Sequence, residues 1–139
     1  MSQLNAYLFF DGTCADAMRF YERTLGGKIS MSMTHAQSPV ASQALPGNAD
    51  RIMHTRLDLP DGTLMASDTM AGQTHEGMKN FALSLVYATA AEGRRIFEAL
   101  GQGGKVTMPF EKTFWAEGFG MLVDRYGTPW MVSGGMTPM

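Results

Sequence analysis

Cysteine is almost missing from these 139 residues: Cys14 stands alone, and one thiol cannot close an internal disulfide. That excludes the small secreted domains that depend on disulfides and sets the expectation of a reducing, cytoplasmic setting. Long apolar runs are missing too, since none approaches the roughly 18–20 residues that span a bilayer. The opening "MSQLNAYLFFDG" has no positively charged n-region, and its apolar stretch is too short for a signal peptide. Positive charge is sparse: no basic cluster exceeds Arg94-Arg95 and the net charge is −2. Phosphate backbones bind to concentrated positive surface, so no nucleic-acid partner is expected, and no membrane. The three histidines, His35, His54 and His75, show neither H-x-H nor H-E-x-x-H spacing.

What is present is an ordinary globular balance, 45% apolar, with an unusual 13 methionines. Methionine is unbranched and polarizable, so it either packs a core in place of leucine or lines an adaptable cavity. Along the chain, "LNAYLFF" reads as a buried strand and "TCADAMRFYERTLGGK" as a helix with Ala17, Tyr21 and Leu25 on one stripe. Thr13 is placed to cap that helix, Asp16 suits its positive end, and Gly26-Gly27 stop it. The second half repeats these events. "NFALSLVYA" is again strand-like, and "TAAEGRRIFEALGQGG" is a helix with a Thr89-x-x-Glu92 capping box.

From Thr13 to Thr89 the offset is 76 residues, and from Tyr21 to Phe97 it is 76 again. A second echo, "DGTLMAS" against "YGTPWMVS", lies at an offset of 65 from Gly62 to Gly127. The shorter offset reflects an insert in the first half, "HAQSPVASQALPGNADR", which Pro39 and Pro46-Gly47 mark as a loop. Strand-like pieces follow each helix: "KISMSMT", "IMHTRLDL" and "TLMASD", then "KVTMPF", "FGMLVD" and "PWMVSG". The expectation is one α+β domain over 1–139 made of tandem βαβββ units, at 1–70 and 78–136.

This arrangement, with "YLFFDGTCADAMRFYERTLGG", "MHTRLDLPDGTLMASD" and a variant Glu-Thr-Phe-Trp stretch around Glu111–Trp115, resembles the PhnB-like branch of the vicinal oxygen chelate superfamily. That superfamily includes glyoxalase I, bleomycin-resistance proteins and extradiol dioxygenases. The resemblance implies that each unit forms half of a cupped mixed sheet, that small organic molecules bind inside, and that the chain is a homodimer. It also implies four metal-ligand positions, which fall on Ala6, Ala66, Asn80 and Met131. A divalent ion needs several converging N, O or S donors, so these positions read as vacant; no metal and no other cofactor is expected. Residues expected to line the ligand site are Phe10, Asp68, Trp115, Glu117 and Met131. The reading is thus a small-molecule-binding protein without the superfamily metal.

The alternative is an enzyme of lyase, isomerase or dioxygenase type, using His54 and Asp68 as an acid/base pair or an ion held by His54, Asp68 and Glu117. His54 is otherwise a strand histidine bonded to its surroundings, and His35 and His75 are loop histidines. Trp115, Glu117 and Phe119 alternate and should share a face, either as an aromatic wall for a flat or cationic ligand or as core packing. Trp130 reads as structural. Cys14, at a helix start, is either a thiol of lowered pKa or a small packing residue. PhnB-like sequences are often labelled demethylubiquinone methyltransferase, but the first turn, "DGTCAD", has one glycine where dinucleotide-type sites use several, which leaves that label unsupported.

Overall fold

Every expected strand and helix forms in the computed structural model, which describes residues 2–41 and 47–137. The first unit, Met1–Glu76, contains β1 (Ala6–Phe10), α1 (Cys14–Leu25), β2 (Lys28–Thr34), β3 (Ile52–Leu59) and β4 (Gly62–Asp68). The second, Gly77–Met139, contains β5 (Leu83–Tyr87), α2 (Ala90–Gly101), β6 (Lys105–Glu111), β7 (Ala116–Val123) and β8 (Pro129–Met136). Their sheets have the same plan: order β1-β4-β3-β2 in one and β5-β8-β7-β6 in the other, each with its first pair parallel and the rest antiparallel. Two mixed four-stranded sheets, each with one helix, make this an α+β fold.

In the first unit α1 packs on β2, β3 and β4. It buries Cys14, Ala17, Met18, Phe20 and Tyr21, the stripe that three- and four-residue spacing places on one side. Beneath it lie Leu8, Phe10, Leu57, Leu64 and Ala66, all buried. Alternation along β1 then sends Tyr7 and Phe9 to the other side of the sheet, where both are exposed. Gly26 ends the helix at φ 77°, a left-handed value that glycine takes without steric cost, and its N–H donates to Glu22 O.

The cap of α1 differs from expectation. Thr13 sits at φ −106°, ψ 8° and makes no side-chain cap bond. An N-cap residue needs an extended backbone to swing its oxygen over the first turn. Asp68, from the far end of β4, serves instead: its Oδ1 accepts from Gly12 N–H at 2.8 Å and Cys14 N–H at 3.0 Å. Its Oδ2 accepts from Ile52 N–H at 2.9 Å. In the second unit Thr89 is extended, at φ −125°, ψ 154°, and does cap α2, accepting from Glu92 N–H at 3.1 Å.

Helix α2 lies mainly on β7 and β8. The approach is close enough that a Cβ at Gly134 would collide with the backbone at Thr89 and Ala90. Trp130 is buried, and its Nε1–H donates to Asp124 Oδ2 at 2.8 Å; Asp124 Oδ1 accepts from Tyr126 N–H and Thr128 N–H. Trp130 thereby pins the β7–β8 turn that holds Gly127. Of the 35–51 insert, residues 42–46 lie outside the described residues. Its flanks extend the β2–β3 pairing, with His35 N–H donating to Arg51 O and Ala36 N–H to Ala49 O.

Removing the Asp68 carboxylate by Asp68→Ala leaves three amides without their acceptor, at about 1–3 kcal/mol each, so urea unfolding should show a loss of about 3 kcal/mol or more. Burial, reinforced by the Asp68 charge, pushes the Cys14 thiol far above the ordinary range. The native thiol should therefore resist a thiol-specific disulfide reagent that the unfolded chain consumes at once. Because the folded-state pKa is raised, this contribution to stability is complete below the unfolded thiol value of about 8.5 and declines as pH rises past it. Cys14→Ala should lack that alkaline decline in denaturant titrations.

Candidate functional site

Each sheet has one face under its helix and one facing away from it, and the cross-strand register assigns residues to that open face. In the first unit the pairs Tyr7–Met65, Phe9–Ser67, Arg56–Met65, Met31–Arg56 and Met33–His54 stand opposite one another. In the second, Met121 faces Met131, Phe119 faces Ser133 and Ser84 faces Met131.

On the first unit's open face the Tyr7 hydroxyl lies 3.0 Å from His54 Nδ1. The two rings stack at 5.6 Å and 25°, and Phe9 joins with its ring 5.1 Å from Tyr7. Two residues along β3 from His54, Arg56 is held by Asp58 at 2.8 Å; the bond from Arg56 keeps the Asp58 carboxyl below its usual range. Of the other histidines, His75 Nε2 meets the Phe9 carbonyl at 2.8 Å on the edge strand β1, and the backbone of His35 continues the β2–β3 pairing.

The residues singled out in the sequence fall in different places. Asp68 is buried on the helix side with both carboxylate oxygens engaged by backbone amides, so it does not pair with His54. Phe10 is 1% exposed on that same side, in the core under α1. Tyr7 is the partner of His54, and it was missed because "AYLFF" is apolar or aromatic at every position. The available signal was its two-residue alternation, which sets Tyr7 and Phe9 against Leu8 and Phe10.

In the second unit Trp115 contacts Phe119 edge-on at 5.2 Å, and the exposed Phe114 contacts Trp115 at 4.8 Å. Glu117 is exposed, two residues from each of Trp115 and Phe119. Farther along the sheet a cavity of about 440 Å³ is lined by Asn80, Phe81, Thr107, Met121, Pro129 and Met131, among others. That volume lies within the range of small-molecule sites, roughly 300–1,000 Å³, and the lining is mostly apolar with few polar groups, as such sites are. Met131 is one of the residues lining this cavity. Asn80 on its rim has φ 62°, the one non-glycine positive φ among the described residues.

The four positions implied for a metal do not suit one. Ala6 and Ala66 have no donor and share the strand alternation of the helix side, Ala66 being fully buried. Asn80 and Met131 offer an amide and a thioether, poor ligands for a hard or borderline divalent ion. Among the described residues no group of three or more His, Cys, Asp or Glu is placed to hold a metal. No described helix is long and apolar enough to cross a membrane.

A family model described as 3-demethylubiquinone-9 3-methyltransferase matches residues 2–133. Protein YjdN of Escherichia coli (strain K12) is 33% identical over 139 residues, covering 94% of this chain and 93% of that one. Protein PA1353 from Pseudomonas aeruginosa, a solved structure, is 39% identical with a TM-score of 0.90, covering 99% of this chain and 100% of that one. A putative 3-demethylubiquinone-9 3-methyltransferase, PhnB protein, from Bacillus cereus has the same fold at 22% identity and a TM-score of 0.81, covering 96% and 100%.

Proposed function

The chain belongs to the family described as 3-demethylubiquinone-9 3-methyltransferase, the PhnB-like branch of the vicinal oxygen chelate superfamily, and from that premise we propose that it binds a small organic molecule without the superfamily's metal. The observation that carries this reading is the mostly apolar cavity of the second unit, whose lining includes Met121 and the implied ligand positions Asn80 and Met131. Thioether side chains flex and polarise, so Met121 and Met131 can close around molecules of differing outline. The donor-poor chemistry at Asn80 and Met131, both in the cavity lining, supports binding without an ion. In this reading the protein is a cytoplasmic homodimer of the sequestration kind.

Methyl transfer is not part of the proposal. S-adenosylmethionine normally rests on a doubly wound parallel sheet, its charged groups meeting backbone amides at a glycine-rich turn. The two βαβββ units here contain no such sheet among the described residues.

Thermal unfolding of the EDTA-treated full chain, measured across a panel of small aromatic and aliphatic compounds, tests the reading. At least one class should raise the midpoint saturably by several degrees, as binding to the native state requires. Met131→Trp, which puts a larger and stiffer ring into the cavity lining, should diminish that rise. Stoichiometric Ni, Zn, Mn or Fe whose removal eliminates binding would overturn the proposal, as would binding unchanged in Met131→Trp.

A further inference from the structure

We propose that Met121 and Met131 form a reversible oxidation site, at which a hydroperoxide converts their thioethers to sulfoxides and so closes the second unit's cavity to apolar molecules. The oxidation stands on which sulfurs the folded chain presents; the closing rests on the cavity reading above.

Methionine serves either as core filler or as accessible lining, and burial decides between the two. Among the described methionines Met18 alone is buried. Met31, Met53, Met108 and Met136 are exposed, and Met121 and Met131 are half-buried. The chain's one thiol is out of reach. Cys14 lies buried at the start of α1, and that burial keeps it protonated, whereas the thiolate is the form a peroxide attacks. A peroxide meeting the folded protein therefore reacts with thioethers.

The reaction needs no base from the protein. The sulfur lone pair attacks one oxygen of the hydroperoxide, the O–O bond breaks, and the departing hydroxide takes the proton of the transferred oxygen. With hydrogen peroxide the products are sulfoxide and water; sulfur gives up two electrons and the peroxide takes them.

What sets Met121 and Met131 apart is where the new oxygen goes. Met108 and Met136, 44% and 48% exposed, present it to water. Met121 and Met131 stand opposite each other on β7 and β8, and both line the mostly apolar cavity together with Phe81, Leu122 and Pro129. Directly opposed residues have Cβ atoms about 4.5–5.5 Å apart. Two sulfoxides there set two acceptor oxygens side by side in a lining whose polar side chains are Asn80 and Thr107. Those oxygens require water or a donor, and an apolar molecule supplies neither.

The test treats the full chain with hydrogen peroxide and reads peptide masses and the thermal midpoint, with and without compounds of the panel above. Met121 and Met131 should each gain one oxygen in the folded protein, while Met18 and Cys14 gain none until it is unfolded. The midpoint should fall by about 3 °C, and methionine sulfoxide reductases with a thiol reductant should restore it. In a Met121→Leu/Met131→Leu chain, whose lining stays apolar without the sulfurs, the midpoint should be the same before and after peroxide. A compound that raises the midpoint of the untreated chain should bind the oxidised chain about tenfold more weakly. Met121 and Met131 left intact by peroxide that oxidises Met108 and Met136 would overturn the inference. So would an unchanged midpoint with both oxidised, an equal fall in the double variant, or undiminished binding by the oxidised chain. A chain that binds none of the panel before peroxide defeats the cavity reading and the closing with it, and the masses and the double variant still decide the oxidation site.

Discussion

One buried carboxylate organises the first unit. Asp68 closes β4, and its two oxygens take N–H groups from the β1–α1 turn, from the first residue of α1 and from the start of β3. The β1–α1 junction and the start of β3 are far apart in sequence, yet the amides of Cys14 and Ile52 would otherwise be buried without acceptors, at a cost comparable to a lost hydrogen bond each. With Asp68 in place, the parallel pairing of β1 with β4 is locked at its end, and Phe10 stands directly beside Asp68 in the register. That register then decides which side chains of β1 face away from the helix, and so brings Tyr7 to His54.

The second unit reaches the same topology by another route. Thr89 caps its own helix, so no distant carboxylate is needed, and the residue opposite the end of β5, where Asp68 stands opposite the end of β1, is Gly134, at which the backbones of strand and helix come together. Duplicated architecture therefore does not mean duplicated chemistry. The first unit presents aromatic rings beside one imidazole, and the second a mostly apolar cavity with Met121 and Met131 in its lining.

Much of the fold was legible before any coordinates. Strand boundaries at "KISMSMT" and "IMHTRLDL" coincide with β2 and β3, the glycine stop after Leu25 is where α1 ends, and Thr89 caps as its Thr-x-x-Glu spacing indicates. The candidate site was legible only in fragments. His54 and Met131 were picked out, but Asp68 was assigned to the wrong side of the sheet and Tyr7 was overlooked. Tyr7 was missed because every residue of "AYLFF" is apolar or aromatic, so composition does not say which alternate set the helix covers, and the face taken by Asp68 on β4 depends on the same strand parity.

The sequence by itself determined the elements, their order, the duplication and the helix ends, because these follow from periodicity and turn chemistry acting over a few residues. Only the tertiary structure decided that Asp68 caps a helix begun 54 residues earlier and that His54 meets Tyr7 across 47. Those pairings depend on which strands lie side by side and in what register, and a shift of one residue would turn every side chain of a strand to the opposite face.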